Sequence, residues 1–347
     1  MTQSQSPAPR ALPPGHPPIP VSRIGVLLVN LGSPSGKDTA SVRRYLRQFL
    51  SDPRVIEIPR PIWWVILNLF VLTTRPKKSA HAYAQVWNNE RDEAPLVTIT
   101  RAQSDALGVA LGGDGIVVDW AMRYGQPAIG DRMAAMKDAG CERILIAPLY
   151  PQYSAATTAT ANDAAFAALK TMRWQPAVRT LPMYHDDPAY IDALAESVSD
   201  SLKRLEFTPD VIVASFHGMP RETLDKGDPY HCQCQKTARL LRERLGLDKG
   251  GLRIAFQSRF GNAEWLQPYF DKTLADLPKE GIKRVVVVMP GFSADCLETL
   301  EEIALRGAET FRENCGTDFA AIPCLNDSRP GMRMIESLVR GELSGWI

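Results

Sequence analysis

The 347-residue sequence lacks the short motifs that mark several common enzyme classes. It contains no GxGxxG or GxxxxGKS phosphate-binding motif, and the VNLGSP turn at residues 29–34 is weak evidence for one. It also lacks a GxSxG nucleophile elbow, which weakens a hydrolase interpretation. The sequence therefore predicts no nucleotide cofactor.

An excess of charge of one sign is also missing. Lys and Arg total 40 against 39 Asp and Glu, whereas nucleic-acid-binding proteins usually carry a basic face. Six cysteines are scattered through an ordinary globular composition, and no secretory signal is evident, so we expect a reduced, cytoplasmic setting. The proline-rich residues 1–20 predict a disordered tail. No nucleic-acid partner is predicted.

The apolar run PIWWVILNLFVL at residues 61–72, here called the lip, is too short to span a bilayer, which takes about 20 apolar residues. Its length favours a buried core helix. The alternative is an exposed surface that contacts a membrane through Trp63 and Trp64 or receives an apolar ligand. Basic residues flank the run at Arg54, Arg60, Arg75, Lys77 and Lys78. These charges favour the exposed alternative, with peripheral contact at the inner face of the membrane.

Short β-rich apolar runs alternate with helical patterns along the chain. IGVLLVNLG and RILIAPLYPQYS are examples in the first half, and DVIVASFHGMP and RVVVVMPGFS in the second. This alternation predicts an α/β fold of two Rossmann-like, doubly wound lobes with parallel sheets flanked by helices. We expect a first lobe over residues 21–175, a second over 176–328, and a C-terminal helix over 329–347 that packs back on the first lobe. Ligands bind beyond the carboxyl ends of parallel strands, so a cleft between the lobes is expected.

One histidine and three carboxylates follow predicted strands in the second lobe. His217 ends the strand VIVASFH, a position that favours function over a structural role. Asp295, Glu298 and Glu302 are spaced by three and four residues, which places them on one helix face. A simpler interpretation is an acidic first turn that complements the helix dipole. It explains Asp295 and Glu298 well, and Glu302 less well. Together these groups are suited to accepting protons and holding a divalent cation.

The HCQCQ segment at residues 231–235 is a weaker metal candidate, because structural metal sites usually have a second ligand pair. We interpret it as a helix start after the GDPY turn. Aromatic residues near strand ends, such as Tyr124, Tyr153 and Trp265, are candidates for packing against a flat ligand. Each taken alone is more typical of a core, yet all lie at or just past strand ends.

Eight segments, taken in order, resemble the ferrochelatase family. They are VNLGSP, FLSDPRVIEIPR, RPKKSAHAYAQVW, AMRYGQP, APLYPQYSAATT, SFHGMPRETLDKGDPY, FQSRFGNAEWL and PGFSADCLETLEEI. The resemblance covers nearly the whole chain after the tail. It implies two Rossmann-like lobes around a porphyrin cleft, and insertion of Fe²⁺ into protoporphyrin IX with release of two protons, the last step of haem synthesis.

The resemblance also implies roles for individual residues. His217 and Glu298 would be catalytic, and Asp295 and Glu302 would extend a metal path from them. The porphyrin would be bound by residues of both lobes, namely Leu31, Trp63, Trp64, Arg123, Tyr124, Tyr153 and Trp265. Fe²⁺ is then a substrate, and no cofactor is required.

The sequence departs from animal ferrochelatases. Their iron–sulfur cluster is held by cysteines in a C-terminal extension and by one cysteine further upstream. No cysteine follows Cys324, so an animal-type cluster is not predicted, although a different [2Fe-2S] cluster on other cysteines stays open. Three further alternatives stay open: a coproporphyrin III ferrochelatase, a porphyrin or haem carrier without chemistry, and a cobalt or nickel chelatase for another tetrapyrrole. The tryptophan-rich lip favours protoporphyrin over the more acidic coproporphyrin.

Overall fold

The structure is a computed structural model that describes Gly15 and residues 22–113, 115–261 and 263–347. The predicted tail, residues 1–20, lies outside the described residues apart from Gly15. The described chain forms two four-stranded sheets flanked by helices.

The first sheet has the strand order β2-β1-β3-β4, with every pair parallel. Its strands are β1 (Arg23–Gly32), β2 (Ile116–Tyr124), β3 (Cys141–Pro148) and β4 (Ala177–Thr180). Val26 and Leu28 pack on one face and Leu27 and Val29 on the other, all with no exposed surface. Because side chains alternate along a strand, helices must cover both faces of such a sheet.

The second sheet repeats this plan, with the parallel order β6-β5-β7-β8. Its strands are β5 (Val211–His217), β6 (Leu252–Gln257), β7 (Arg284–Val288) and β8 (Asp318–Ala321). Ile212 belongs to the same buried cluster as Val26 of the first sheet, so a continuous apolar core joins the two lobes. The predicted α/β fold with two doubly wound lobes is confirmed.

Helices connect successive strands and cover the sheets. The α-helices are α1 (Thr39–Leu50), α2 (Arg60–Ile66), α3 (Leu72–Val86), α4 (Pro95–Leu111), α5 (Ile129–Asp138), α6 (Thr160–Thr171), α7 (Pro188–Arg204), α8 (Arg221–Asp225), α9 (Tyr230–Arg244), α10 (Phe270–Asp276), α11 (Ala308–Glu313) and α12 (Arg329–Leu343). Three segments are π-helical, Leu67–Val71, Ala155–Ala159 and Glu298–Gly307, and Leu277–Glu280 is a 3₁₀ turn. The π-helix is rare and is frequently found at functional sites.

The first sheet continues past the lobe boundary predicted at residue 175. Strand β4 pairs with β3 in register from Arg143 with Ala177 to Ile146 with Thr180. The short β4 strand has one exposed residue, Ala177, and three half-buried ones, which is typical of an edge strand. It therefore lacks the buried apolar pattern that would have marked it as part of the first lobe.

Helix α12 lies against α4 of the first lobe and against α7. The Arg340 guanidinium donates to the Ala110 carbonyl at the end of α4 at 2.9 Å. Beyond the helix, the guanidinium of Arg179 on β4 lies over the Trp346 ring, 4.4 Å from its centroid. The C-terminus is thus attached to the first lobe through arginine contacts.

The lip is one amphipathic helical segment formed by α2 and the following π-helix. Trp63 faces inward, with 7% exposure, and its indole N–H donates to the Leu50 carbonyl at 2.6 Å. Trp64 and Phe70 are each 64% exposed and Leu69 is 60% exposed. The core and surface interpretations of this run therefore each describe one of its faces, and the prediction that Trp63 belongs to the exposed surface is wrong.

Candidate active site

His217 ends β5, at the edge where the strands of the second sheet deliver their carboxyl ends. Its Nδ1 lies 2.6 Å from the carbonyl oxygen of Gly218. A carbonyl can only accept a hydrogen bond, so in the neutral ring Nδ1 carries the proton and Nε2 keeps a lone pair. The half-buried imidazole is thereby set up as a proton acceptor at Nε2.

Gly218 is required by the close approach of β6. A Cβ at this position would lie 2.5 Å from the Gln257 carbonyl oxygen and 3.2 Å from Cε3 of Trp265. The glycine N–H donates to that same carbonyl at 2.7 Å, which fixes the turn after His217. The turn therefore needs the glycine of the SFHGMP motif.

Trp265 forms a wall beside this turn. Its ring is buried and packs against Phe260 with a centroid distance of 4.9 Å, and its Nε1–H donates to the Phe260 carbonyl at 3.0 Å. The guanidinium of Arg75, from α3 of the first lobe, lies over the Phe260 ring at 5.2 Å. This cation–π contact joins the two lobes.

Glu298 begins the π-helix Glu298–Gly307 and is half-buried. It lies within electrostatic range of Tyr45, Arg75 and Tyr83, all from the first lobe. Burial, and then the Glu298 charge, raises the pKa of Tyr83 well above its ordinary value, so its hydroxyl keeps its proton. Burial lowers the pKa of Arg75 from its ordinary value, and the Glu298 charge opposes that shift.

Tyr45, Arg75 and Tyr83 were not among the predicted site residues. Arg75 and Tyr83 lie in the RPKKSAHAY segment, and their spacing of eight residues puts them on one side of α3. That spacing could have identified them. The sequence around Tyr45 gives no comparable signal. Its hydroxyl donates to the Gly32 carbonyl at 3.1 Å, a contact typical of a structural tyrosine.

The Asp295 carboxylate is engaged in hydrogen bonds within the protein. Its oxygens accept from the Thr299 hydroxyl at 2.8 Å, the Asn326 amide at 2.6 Å and the Cys324 N–H at 3.3 Å. The carboxylate thereby ties the start of the π-helix to the segment after β8. Asp295 thus has a structural task in this structure, and its predicted metal ligation stays a prediction.

Glu302 is also occupied, since it accepts from Ser258 through the backbone N–H at 2.8 Å and through the hydroxyl at 2.5 Å. Ser258 has a left-handed backbone, with φ of 66°, which these hydrogen bonds hold. Across residues 22–113, 115–261 and 263–347, no three His, Cys, Asp or Glu side chains are grouped to hold a metal ion. No three of the four predicted metal residues are therefore grouped in this way, and their metal role stays a prediction.

The predicted porphyrin-binding pair Arg123 and Tyr124 is built into a network around Asp52. The Tyr124 hydroxyl donates to the Asp52 carboxylate at 2.8 Å, and Arg123 and Thr160 donate to the same group. Tyr124 has no exposed surface. Its ring lies between the Arg123 guanidinium and Phe49, so the expectation that it lines an open pocket is wrong in this conformation.

The other predicted binding residues lie at several places. Leu31, at the end of β1, is half-buried where the main core meets the cluster under α1–α3. Tyr153 is half-buried beyond β3, and its N–H donates to Gln233 of α9 at 2.7 Å. In the HCQCQ segment, Cys232 is exposed and Cys234 is buried. The residue between them, Gln233, makes the contact to the first lobe.

The chain matches the family model described as ferrochelatase over residues 23–343. The chain belongs to the ferrochelatase family. It is 59% identical over 333 residues to a ferrochelatase of Rhizobium meliloti (strain 1021), covering 96% of this chain and 98% of the relative. It is 58% identical over 326 residues to a ferrochelatase of Nitrobacter hamburgensis, covering 94% of each chain. As a ferrochelatase, the protein is an enzyme of haem biosynthesis that inserts a metal ion into a porphyrin.

Solved structures support the same fold at low sequence identity. The SirB protein of Bacillus subtilis with Fe³⁺ has a TM-score of 0.54 and 12% identity, covering 92% of this chain and 94% of SirB. The sirohydrochlorin chelatase SirB of a Bacillus subtilis subspecies, in complex with cobalt, has a TM-score of 0.51 and 11% identity, with the same coverage. The ferrochelatase thus shares its two-lobed chelatase fold with proteins of very different sequence.

Substituting Asp52 with alanine should destabilise the ferrochelatase by about 3 kcal/mol, because it leaves the largely buried Arg123 charge unpaired. Burial raises the pKa of Asp52, but hydrogen bonds from Thr160, the backbone and Tyr124, with the Arg123 charge, outweigh it and lower the pKa overall. The stabilisation is therefore complete at pH values above the unfolded pKa and is lost as the pH falls through the lower folded pKa. Urea unfolding at neutral pH and below about pH 4 measures both effects.

Asp163→Ala is the matched control, since it removes an exposed ion pair with Arg54 and should cost about 0–1 kcal/mol. Equal losses in the two variants at neutral pH would contradict the structural role of the Asp52 network.

Proposed function

We propose that this ferrochelatase inserts Fe²⁺ into protoporphyrin IX to form protohaem, with release of two protons. The observation that carries the chemistry is the hydrogen bond between His217 Nδ1 and the Gly218 carbonyl, which leaves Nε2 free at the carboxyl end of β5. The observation that favours protoporphyrin is the apolar exposed face of the lip.

Metal insertion into a free porphyrin has two requirements. The ring holds two pyrrole N–H protons, so a base must take them, and the planar ring must bend so that its nitrogen lone pairs meet the metal. His217 is suited to the first task, because its Nε2 keeps a lone pair and histidine is the side chain most often used to accept protons in catalysis. A cleft whose walls come from two lobes is suited to the second, by binding the bent ring better than the flat one.

Glu298 is the carboxylate that we assign to metal delivery or proton relay. It is half-buried in the π-helix and faces first-lobe groups electrostatically, whereas Asp295 and Glu302 are engaged with Asn326 and Ser258. We therefore propose His217 and Glu298 as the catalytic pair and treat the other two carboxylates as supports for the π-helix.

The basic residues beside the lip are suited to the propionate groups of the porphyrin. Arg75 is half-buried next to Glu298 and Phe260, while Lys77 and Lys78 are exposed. A guanidinium can pair with a carboxylate through two hydrogen bonds. Arg75 is therefore the proposed propionate partner inside the cleft, and the lysines lie nearer to solvent.

The substrate is tested by anaerobic incubation of the enzyme with Fe²⁺ and either protoporphyrin IX or coproporphyrin III, following the change from free-base to metalloporphyrin absorption. We expect faster conversion of protoporphyrin. A higher kcat/KM for coproporphyrin would overturn the proposed substrate, and Co²⁺ or Ni²⁺ in place of Fe²⁺ tests the metal.

His217→Ala should reduce insertion at least 100-fold, since the proton acceptor is removed. Porphyrin affinity, measured by fluorescence titration, should change less than threefold, because the ring is bound mainly by other side chains. His81→Ala is the control, since that exposed imidazole on α3 contacts Gln85. Near-normal turnover by His217→Ala would rule out its proposed role.

The exposed face of the lip suggests how an apolar porphyrin reaches the cleft. Ile62, Trp64, Leu69 and Phe70 are each more than half exposed, and Arg60, Lys77 and Lys78 flank them with positive charge. Aromatic side chains and nearby lysines or arginines are typical of surfaces that rest on anionic membranes. No helix in the described ranges is long and apolar enough to cross a bilayer. We therefore propose peripheral attachment at the inner membrane face.

The double variant Trp64→Ser, Phe70→Ser should bind vesicles containing phosphatidylglycerol at least fivefold more weakly than the unchanged enzyme, as measured by cosedimentation. Trp174→Ser is the matched control, because Trp174 is 50% exposed on a different surface. Equal binding by the double variant and the control would refute the membrane role of the lip.

A further inference from the structure

The start of α9 reaches across from the second lobe to the loop that follows β3 in the first. The Tyr153 N–H donates to Gln233 Oε1 at 2.7 Å, and the Gln152 amide donates to the Thr237 hydroxyl at 3.0 Å. Gln152, Gln233 and Thr237 are all buried. Buried polar side chains paired in this way fix the relative position of the two segments.

Asp228 is the central acceptor of this contact, because each of its oxygens serves one lobe. Oδ1 accepts from the Tyr230 N–H, the first of α9, at 3.0 Å. Oδ2 accepts from the Ala155 N–H at 2.8 Å and from the Ser154 hydroxyl at 3.1 Å, where the π-helix Ala155–Ala159 begins. One carboxylate therefore accepts from the first backbone N–H of two helices that belong to different lobes.

The same segment also contacts the turn that holds His217. The Asp228 N–H donates to the Thr223 carbonyl at 3.0 Å, and the Thr223 hydroxyl donates to the Pro220 carbonyl at 2.8 Å, at the end of the turn that follows His217. Lys226 forms an ion pair with Glu57 of the first lobe at 2.6 Å. A short chain of contacts thus runs from the turn after His217 through Thr223 and Asp228 to the loop that carries Tyr153.

We propose that Asp228 is a positioning residue that sets the distance between the His217 turn and the Tyr153 loop, and so the width of the cleft in which the porphyrin is bent. This inference depends on the proposed function. A carboxylate is suited to the task because it accepts hydrogen bonds from several backbone and side-chain donors at once. Small displacements of reacting groups lower the reaction rate strongly. A change in the width of the cleft should therefore alter mainly kcat.

Asp228→Asn tests this role with a nearly unchanged side-chain shape. In either orientation, the new amide turns an N–H toward a backbone N–H, so α9 or the Tyr153 loop loses its acceptor. We expect kcat to fall at least tenfold, with porphyrin affinity changed less than threefold. Asp248→Asn is the matched control, because Asp248 accepts from the N–H groups of Gly250 and Gly251 within one lobe.

A second pair of variants tests the same contact from Gln233. Gln233→Glu keeps an acceptor for the Tyr153 N–H and should retain activity, whereas Gln233→Leu removes it and should lower kcat at least fivefold. If Asp228→Asn does not fold, this pair decides. The inference is overturned if Asp228→Asn matches Asp248→Asn in kcat, or if the two Gln233 variants are equal.

The unchanged enzyme is assayed first with both porphyrins, so that failure of the proposed substrate is separated from failure of this inference. If coproporphyrin is the better substrate, the variants are compared with that ring, and the same outcomes apply.

Discussion

The hydrogen bond between His217 and the Gly218 carbonyl is the interaction on which the proposed chemistry of this ferrochelatase depends. It fixes the tautomer of the imidazole, and so decides which nitrogen is free to take a proton. The bond exists because β5 and β6 run in parallel register, with His217 opposite Gln257, and because the Gly218 N–H is held by the Gln257 carbonyl. A side chain at residue 218 would collide with that carbonyl. Sheet register thus determines which nitrogen of the imidazole can accept a proton.

The two lobes are held together by different forces in different places. A continuous apolar core joins the sheets, with Val26 and Ile212 in one cluster, and this core resists separation without fixing a precise distance. Directional contacts add the precision: Gln103 of α4 donates to the Ser293 and Asn326 carbonyls, and the start of α9 binds the loop after β3. The Arg75 guanidinium over the Phe260 ring adds a further contact between the lobes.

The fold could be predicted from the sequence, because buried parallel strands give long apolar runs and their ends carry polar residues. The position of His217 followed from the same logic. Residue spacing could not predict which carboxylates are free: Asp295 and Glu302 share a helix face with Glu298, yet their oxygens are taken by Asn326 and Ser258, which are distant in sequence. Tyr124 was misplaced for the same reason, since Asp52, which accepts from its hydroxyl, is separated from it by 72 residues. Local patterns carry no information about such partners.

The lip shows how one short sequence can serve the core and the surface together. Trp63 and Trp64 are adjacent, and a helix turns successive residues by about 100°, so one faces Leu50 while the other faces solvent. The buried face anchors the segment to the cluster under α1 and α3, which also receives Leu31 and Leu297. Leu297 directly precedes Glu298. The buried face of the lip therefore belongs to the same apolar cluster as the residue that precedes the proposed catalytic Glu298, and a shift of the lip would be transmitted to the π-helix through apolar contacts.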